Sequence, residues 1–378
     1  MRRSIPLITV AMLLASSLPL IALAADPSSF VAKGSPRSFV GVPGVHEYVF
    51  AAQRGSSPFD RIALHHLTDS TSRSQKKRVM LYLPGTWMNG TVAPDDTSHS
   101  LALFMASHGI DFWALDYRTH FVPATSTQND LAELKNWTNE LFLSDIEAAV
   151  RFIKEQTGAD HITVAGFSRG VSFAYLYAGA HPREIAGLLV FDGYIGRGHQ
   201  GQPPPGMYAE DVAGKHLTWD KRVALLKLVI ENPHAPAPIP QYKDAADNLN
   251  HVVYDSAAFG GKGGLANPID GFSDASTLAR VLITFDRYWP AVQDYEDSFT
   301  SAAIAALKGS HIPVFAFGST NIAPDWSERV AQSAASTDGL KTHVTILKGW
   351  GHLDVICGTR AEREVFKPAI DSIKQLQE

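Results

Sequence analysis

Apolar residues recur along this chain in two alternating rhythms, one of period two and one of helical spacing. Short runs of strand-forming residues at Glu47 to Ala51, Arg61 to Leu67 and Arg78 to Leu83 predict an opening antiparallel meander ahead of a parallel sheet. Helical spacing over Leu101 to Ser107 then leads into a strand over Asp111 to Tyr117, and an amphipathic stretch from about Leu131 to Gln156 predicts one long helix stopped at Thr157-Gly158. A strand over His161 to Ala165, a helix-compatible Val171 to Tyr177 and a strand over Ala186 to Phe191 continue the alternation. The apolar run Gly187 to Phe191 suits burial on both faces, as in a parallel sheet joined by right-handed crossovers. The rhythm fails between about Gly193 and Thr300, where Gln202 to Gly206, His234 to Pro240 and Gly260 to Gly264 interrupt any period. It resumes with a strand over Ile312 to Phe317, a helix from about Asp325 to Ala335, a strand over His343 to Leu347 and a terminal helix from about Arg360 to Leu376. The expected fold class is α/β, a mostly parallel central sheet flanked by helices, with 25–192 and 301–378 as the two parts of one core and 193–300 as a large cap or lid insertion.

The first residues change the picture. Met1-Arg2-Arg3, an apolar run from Ile5 through Ala15 and Ala22-Leu23-Ala24 have the form of a signal peptide spanning 1–24, so export to the periplasm or medium is expected, with no stable membrane span after cleavage. An uncleaved anchor is the alternative, since the apolar stretch nearly reaches the length of a span. Cleavage removes Arg2 and Arg3 and no acid, taking the formal net charge from -5 to -7, which argues against a nucleic-acid partner. Cys357 is the only cysteine, so an exported chain must rely on its buried core rather than on internal disulfides.

Candidate chemistry centres on Gly166-Phe167-Ser168-Arg169-Gly170, which falls between a predicted strand and a predicted helix. A serine in such a turn is held in a strained backbone conformation, with glycines on either side keeping other side chains away from its hydroxyl. A bare G-x-S-x-G occurs readily in a chain with 29 glycines; the strand before it, the helix after it and a late histidine give it meaning.

With these features and Gly349-Trp350-Gly351-His352-Leu353-Asp354, the chain resembles the α/β-hydrolase family of serine esterases and lipases over about Glu47 to Leu376. The resemblance implies Ser168 as nucleophile and His352, in the loop after the last strand, as general base. The histidine segment is similar to that of acid-lipase-type members. The family commonly places its acid just past the strand ending at Phe317, where this chain has Asn321; Asp325, four residues on, is the favoured acid, and Asp192, after the preceding strand, is the alternative. Asp325 can also be read as a helix cap, and Asp354 is too near His352 along the loop to be preferred. For the oxyanion, the resemblance implies the amides of Arg169 and Thr86, with Trp87 as neighbour or substitute, in a loop that carries Pro84 in place of the family's histidine.

Other patterns fail. Gly196 to Gly201 satisfies G-x-G-x-x-G, but Pro203 to Pro205 forbid the helix that would hold a pyrophosphate; Gly260 to Gly264 lacks the P-loop serine or threonine, and no metal-ligand spacing appears. No metal and no nucleotide cofactor is inferred. The aromatic-rich insertion suits a small-molecule or lipid-like ester with a bulky apolar group. Amide, lactone and thioester cleavage remain open within the same fold, and a catalytically silent binding protein is the reading from another class.

Overall fold

The computed structural model describes residues 29–71, 78–196, 201–213, 217–254 and 272–377. The expected leader, the glycine run Gly260 to Gly264 and part of Gly196 to Gly201 lie outside the described residues.

Among the described residues the strands are β1 (Val31–Ser38), β2 (Val45–Gln53), β3 (Arg61–Asp69), β4 (Arg78–Leu83), β5 (Ile110–Asp116), β6 (Ile162–Phe167), β7 (Ile185–Phe191), β8 (Ala209–Asp211), β9 (Tyr288–Pro290), β10 (Val314–Ser319) and β11 (His343–Leu347). Nine of them form one sheet in the order β1-β2-β3-β5-β4-β6-β7-β10-β11, and β8 pairs with β9 outside it. The pairings β1-β2, β2-β3 and β3-β5 are antiparallel, and every pairing from β5 to β11 is parallel. β4, expected in the meander, therefore sits inside the parallel part between β5 and β6. Its sequence Arg78-Val79-Met80-Leu81-Tyr82-Leu83 is buried from the second residue on, as two covered faces require. β1 was not predicted; all eight of its residues are exposed, so no apolar alternation marks it.

The helices among the described residues are α1 (Leu101–Ser107), α2 (Gln128–Leu131), α3 (Asn139–Thr157), α4 (Arg169–Ala180), α5 (Trp219–Glu231), α6 (Ala245–Leu249), α7 (Ala275–Leu282), α8 (Val292–Tyr295), α9 (Ser301–Lys308), α10 (Trp326–Ala335), α11 (Asp354–Cys357) and α12 (Lys367–Leu376). The single helix expected over 131–156 is divided. Thr138 has extended backbone and its hydroxyl accepts the Leu141 amide at 3.2 Å, so a new N-cap starts α3 where the apolar spacing runs on uninterrupted. Its far end stops as expected at Gly158, whose φ of 67° is left-handed. The final helix begins at Lys367, after a π-helical turn over Glu362–Phe366.

The long excursion between β7 and β10 carries β8, β9 and α5 to α9, none of which adds a strand to the main sheet. Among the described residues no helix is long and apolar enough to cross a membrane.

Candidate active site

The register of the parallel strands aligns Phe167 with Phe191 and Phe191 with Phe317. One residue further, Ser168 and Asp192 leave the carboxyl edge side by side, and Ser319 ends the neighbouring strand. This is the edge at which open α/β sheets bind ligands.

Ser168 has φ 53° and ψ -119°, a conformation rarely allowed to a residue with a side chain, and it directly precedes α4. The turn is built by exclusion. A Cβ on Gly170 would overlap the Leu83 carbonyl, and one on Gly166 would lie 2.5 Å from the backbone of Gly170. The Ser168 amide donates to the Phe191 carbonyl at 3.1 Å, tying the turn to the end of β7. As the first residue of α4, Arg169 has an amide with no acceptor in the preceding turn of helix, which leaves it directed to whatever sits at the helix start.

His352 and Ser168 line one cavity of about 470 Å³, together with Thr86, Trp87, Phe167 and Trp326. The imidazole stacks on Phe167 at 4.5 Å between ring centres and meets Trp326 edge-on at 5.6 Å. Its Nδ1 lies 2.6 Å from Oδ2 of Asp192, so Nδ1–H donates to that carboxylate and Nε2 remains as the basic nitrogen.

Asp192, the alternative acid of the sequence analysis, thus takes the place expected of Asp325. It is fully buried and saturated: Oδ1 accepts the Ser319 amide at 2.6 Å and the Trp326 indole N–H at 3.0 Å, while Oδ2 also accepts the Ser319 hydroxyl at 2.7 Å. Asp325 points elsewhere. Its carboxylate is 51% exposed and pairs with Arg329 one helical turn on, at 2.6 Å, and although it precedes α10 it makes no side-chain cap. Its neighbour Trp326 is the residue of that turn that reaches the imidazole. Asn321, where the resemblance led one to look for an acid, donates from Nδ2 to the Gly349 carbonyl at 2.9 Å and so shapes the loop leading to His352. Asp354 does the same from the other side, accepting the Gly351 amide at 2.7 Å and the Ser273 hydroxyl at 2.6 Å. Ser319, Trp326 and Ser273 carry no signal in the sequence, because each acts through partners more than 100, 130 and 75 residues away or from an insertion without periodicity.

The fold has counterparts among solved structures. A structure described as that of a "putative lipase from Sulfolobus solfataricus" superposes with a TM-score of 0.74 at 26% identity, over 92% of this chain and 99% of that one. The chain has the α/β-hydrolase fold. More distant likenesses include a cold-adapted esterase from an Arctic intertidal metagenomic library (TM-score 0.47, 11% identity, 92% of this chain and 100% of that one) and the thioesterase domain from the curacin biosynthetic pathway (TM-score 0.43, 16% identity, 92% and 99%). No family model matches the sequence, and no curated protein matches it. Within the α/β-hydrolase fold, the strand positions supplying Ser168, Asp192 and His352 are the ends of β6 and β7 and the loop after β11.

The insertion supplies Glu210, Asp211, Phe285 and Asp294 to the cavity wall. Asp294 accepts the Arg169 guanidinium at 2.6 Å, and Asp211 that of Arg287 at 2.8 Å. At Glu210, burial first, then the adjacent Asp294 carboxylate, push the carboxyl up to about 7 against the pull of Arg169. Between the usual glutamate range and about pH 7 the folded protein therefore holds a proton that the unfolded chain releases, so stability declines as pH rises through that window. Glu210→Gln is expected to remove this slope. Its melting temperature relative to the parent should rise from pH 5 to pH 8 in thermal scans; parallel curves would contradict the assignment.

Proposed function

We propose that the protein is an exported serine hydrolase that cleaves carboxylic esters through an acyl-enzyme on Ser168. The observation that carries this reading is the Asp192–His352 hydrogen bond beside a strained serine in one cavity. His352 Nε2 takes the Ser168 proton as Oγ attacks the carbonyl carbon, and Asp192 holds the tautomer and stabilises the imidazolium. The amides of Arg169 and Thr86, with Trp87 beside them, receive the oxyanion. The tetrahedral adduct collapses with transfer of the proton to the departing alcohol. Water, deprotonated by the same imidazole, then clears the acyl group and restores Ser168.

An ester with an apolar acyl or alcohol group is supported by the cavity wall, where Trp87, Met88, Phe285, Ile322, Trp326 and Leu353 surround the polar centre. Export rests on residues 1–24, and the exported chain should begin at Ala25 by N-terminal sequencing.

The test is covalent. A fluorophosphonate should attach to the peptide containing Ser168 in the wild-type protein, and paired 4-nitrophenyl ester, anilide, lactone and thioester substrates then rank the reactions. A folded protein that takes no label and turns over none of these is a binding protein, and the hydrolase reading falls.

A further inference from the structure

The loop from Pro84 to Gly90 is tied to the core at its start, where the Pro84 carbonyl accepts the Tyr117 hydroxyl at 3.1 Å. The Met88 amide donates to the Gly85 carbonyl at 3.0 Å, and the next constraint falls on Trp87, whose φ of 61° is an uncommon conformation for a bulky side chain. What fixes that residue comes from the insertion. The Trp87 carbonyl accepts the Asp286 amide at 2.7 Å, and its indole N–H donates to the Glu210 carbonyl at 3.3 Å. Two residues on, Asn89 Nδ2 donates to the Thr284 carbonyl at 2.7 Å and to Oδ1 of Asp286 at 2.8 Å.

The Asp286 carboxylate is buried, and it also accepts from His120 Nδ1 at 2.9 Å and from the Thr119 hydroxyl at 3.3 Å. It thus bonds at once to the core turn after β5 and to the loop itself. Below it the Gly90 amide donates to Asp116 at 2.7 Å, and Asp116 is bonded to His65, which reaches Glu47. Burial alone would lower both imidazoles, but the surrounding carboxylates outweigh it and raise His120 to about 9 and His65 to about 10. The loop is therefore gripped on both sides by buried carboxylates; burial pushes the Asp286 carboxyl up while the His120 and Asn89 hydrogen bonds pull against it, so each partner lost there is costly.

We propose that Asp286, carried by the insertion, is the positioning residue that holds Thr86 and Trp87 in the shape an oxyanion hole requires; this rests on the serine-hydrolase reading above. A bland alternative is that Asp286 merely fastens the insertion to the core. Arg287, the next residue, separates the two roles. Its guanidinium also fastens the insertion, to the Ala124 carbonyl at 2.5 Å, and makes no hydrogen bond to the loop from Pro84 to Gly90.

The experiment compares wild type, Asp286→Ala, Asp286→Asn and Arg287→Ala in three measurements: kcat and KM on 4-nitrophenyl butyrate, affinity for an aryl trifluoromethyl ketone, and amide hydrogen exchange of peptides covering 84–90. The ketone adds Ser168 Oγ to its carbonyl carbon and leaves a tetrahedral oxyanion, so it reads the hole directly. For Asp286→Ala, kcat and ketone affinity should fall together by roughly 100-fold, the size of one misplaced donor, with KM within about threefold and faster exchange in the loop. Asp286→Asn keeps an acceptor for Asn89 but loses the charge facing His120, and should lose about tenfold. Arg287→Ala also frees Asp211 in the cavity wall and should cost ketone affinity about threefold at most, with exchange in the 84–90 peptides as in wild type. Unchanged ketone affinity in Asp286→Ala, or an equal loss in Arg287→Ala, overturns the proposal. If Asp286→Ala fails to fold, an Asp286→Asn within twofold of wild type overturns it instead. Wild-type protein that neither turns over the ester nor binds the ketone fails the hydrolase reading and takes the proposal with it, whereas wild-type turnover with an indifferent Asp286 defeats the positioning role alone.

Discussion

Replacing Ser168 by alanine is expected to lower kcat for ester hydrolysis on the order of a million-fold and to abolish fluorophosphonate labelling. Asp192, which leaves the carboxyl edge beside Ser168, has all its acceptor sites filled and cannot take over the attack. The residual rate should exceed that in water by on the order of a thousandfold or more, because the amides of Arg169 and Thr86 and the cavity remain to bind the transition state. Alanine must still adopt the left-handed backbone of Ser168, held by the Phe191 carbonyl and the packing of Gly166 and Gly170, so the melting temperature should move little. Steady-state turnover and thermal scans on the same preparations check both halves. Retained labelling in a folded Ser168→Ala protein would place the nucleophile elsewhere.

Asp192→Asn is expected to cost on the order of ten-thousandfold in kcat, and Asp325→Asn less than about twofold. The asymmetry follows from hydrogen-bond bookkeeping at the carboxylate. An asparagine oxygen can replace Oδ1, accepting from the Ser319 amide and the Trp326 indole. Its NH2 then stands where Oδ2 accepts from the Ser319 hydroxyl and His352 Nδ1. The hydroxyl can rotate to accept, but the imidazole can do so only by moving its proton to Nε2, and in that tautomer it cannot take a proton from Ser168. Asp325, paired with Arg329 in solvent, offers no such route to the ring. Measuring kcat and label uptake for both variants decides it; comparable activity in the two would remove Asp192 from the mechanism.

The sheet was legible because strands buried on both faces, such as Gly187 to Phe191, leave short apolar runs bounded by turn residues. β1 left none, being exposed throughout, and the break at Thr138 was hidden because a cap is a local hydrogen bond that leaves the apolar spacing intact. Ser168 and His352 could be placed from local sequence, since turn and loop are short and marked by glycine. Which carboxylate meets the imidazole could not be read that way. Asp192 and Asp325 both follow strands, and the choice lay in the register joining Phe167, Phe191 and Phe317 across three strands, which the one-dimensional spacing does not contain. One clue was present: Arg329 lies four residues after Asp325, the separation at which a helix pairs opposite charges.

The excursion between β7 and β10 leaves and re-enters the sheet at adjacent strands, with Leu188 facing Val314 and Phe191 facing Phe317. Those two strands pair directly and in parallel, so a replacement segment of different length could be spliced between them without disturbing the strand order. Such a graft would nevertheless be no neutral change of substrate pocket. The segment lends its backbone and Asp286 to the loop around Trp87, so under the proposed mechanism a chimera that omits those contacts would keep Ser168 but have to rebuild the oxyanion site, and shuffled variants should lose speed before they change preference.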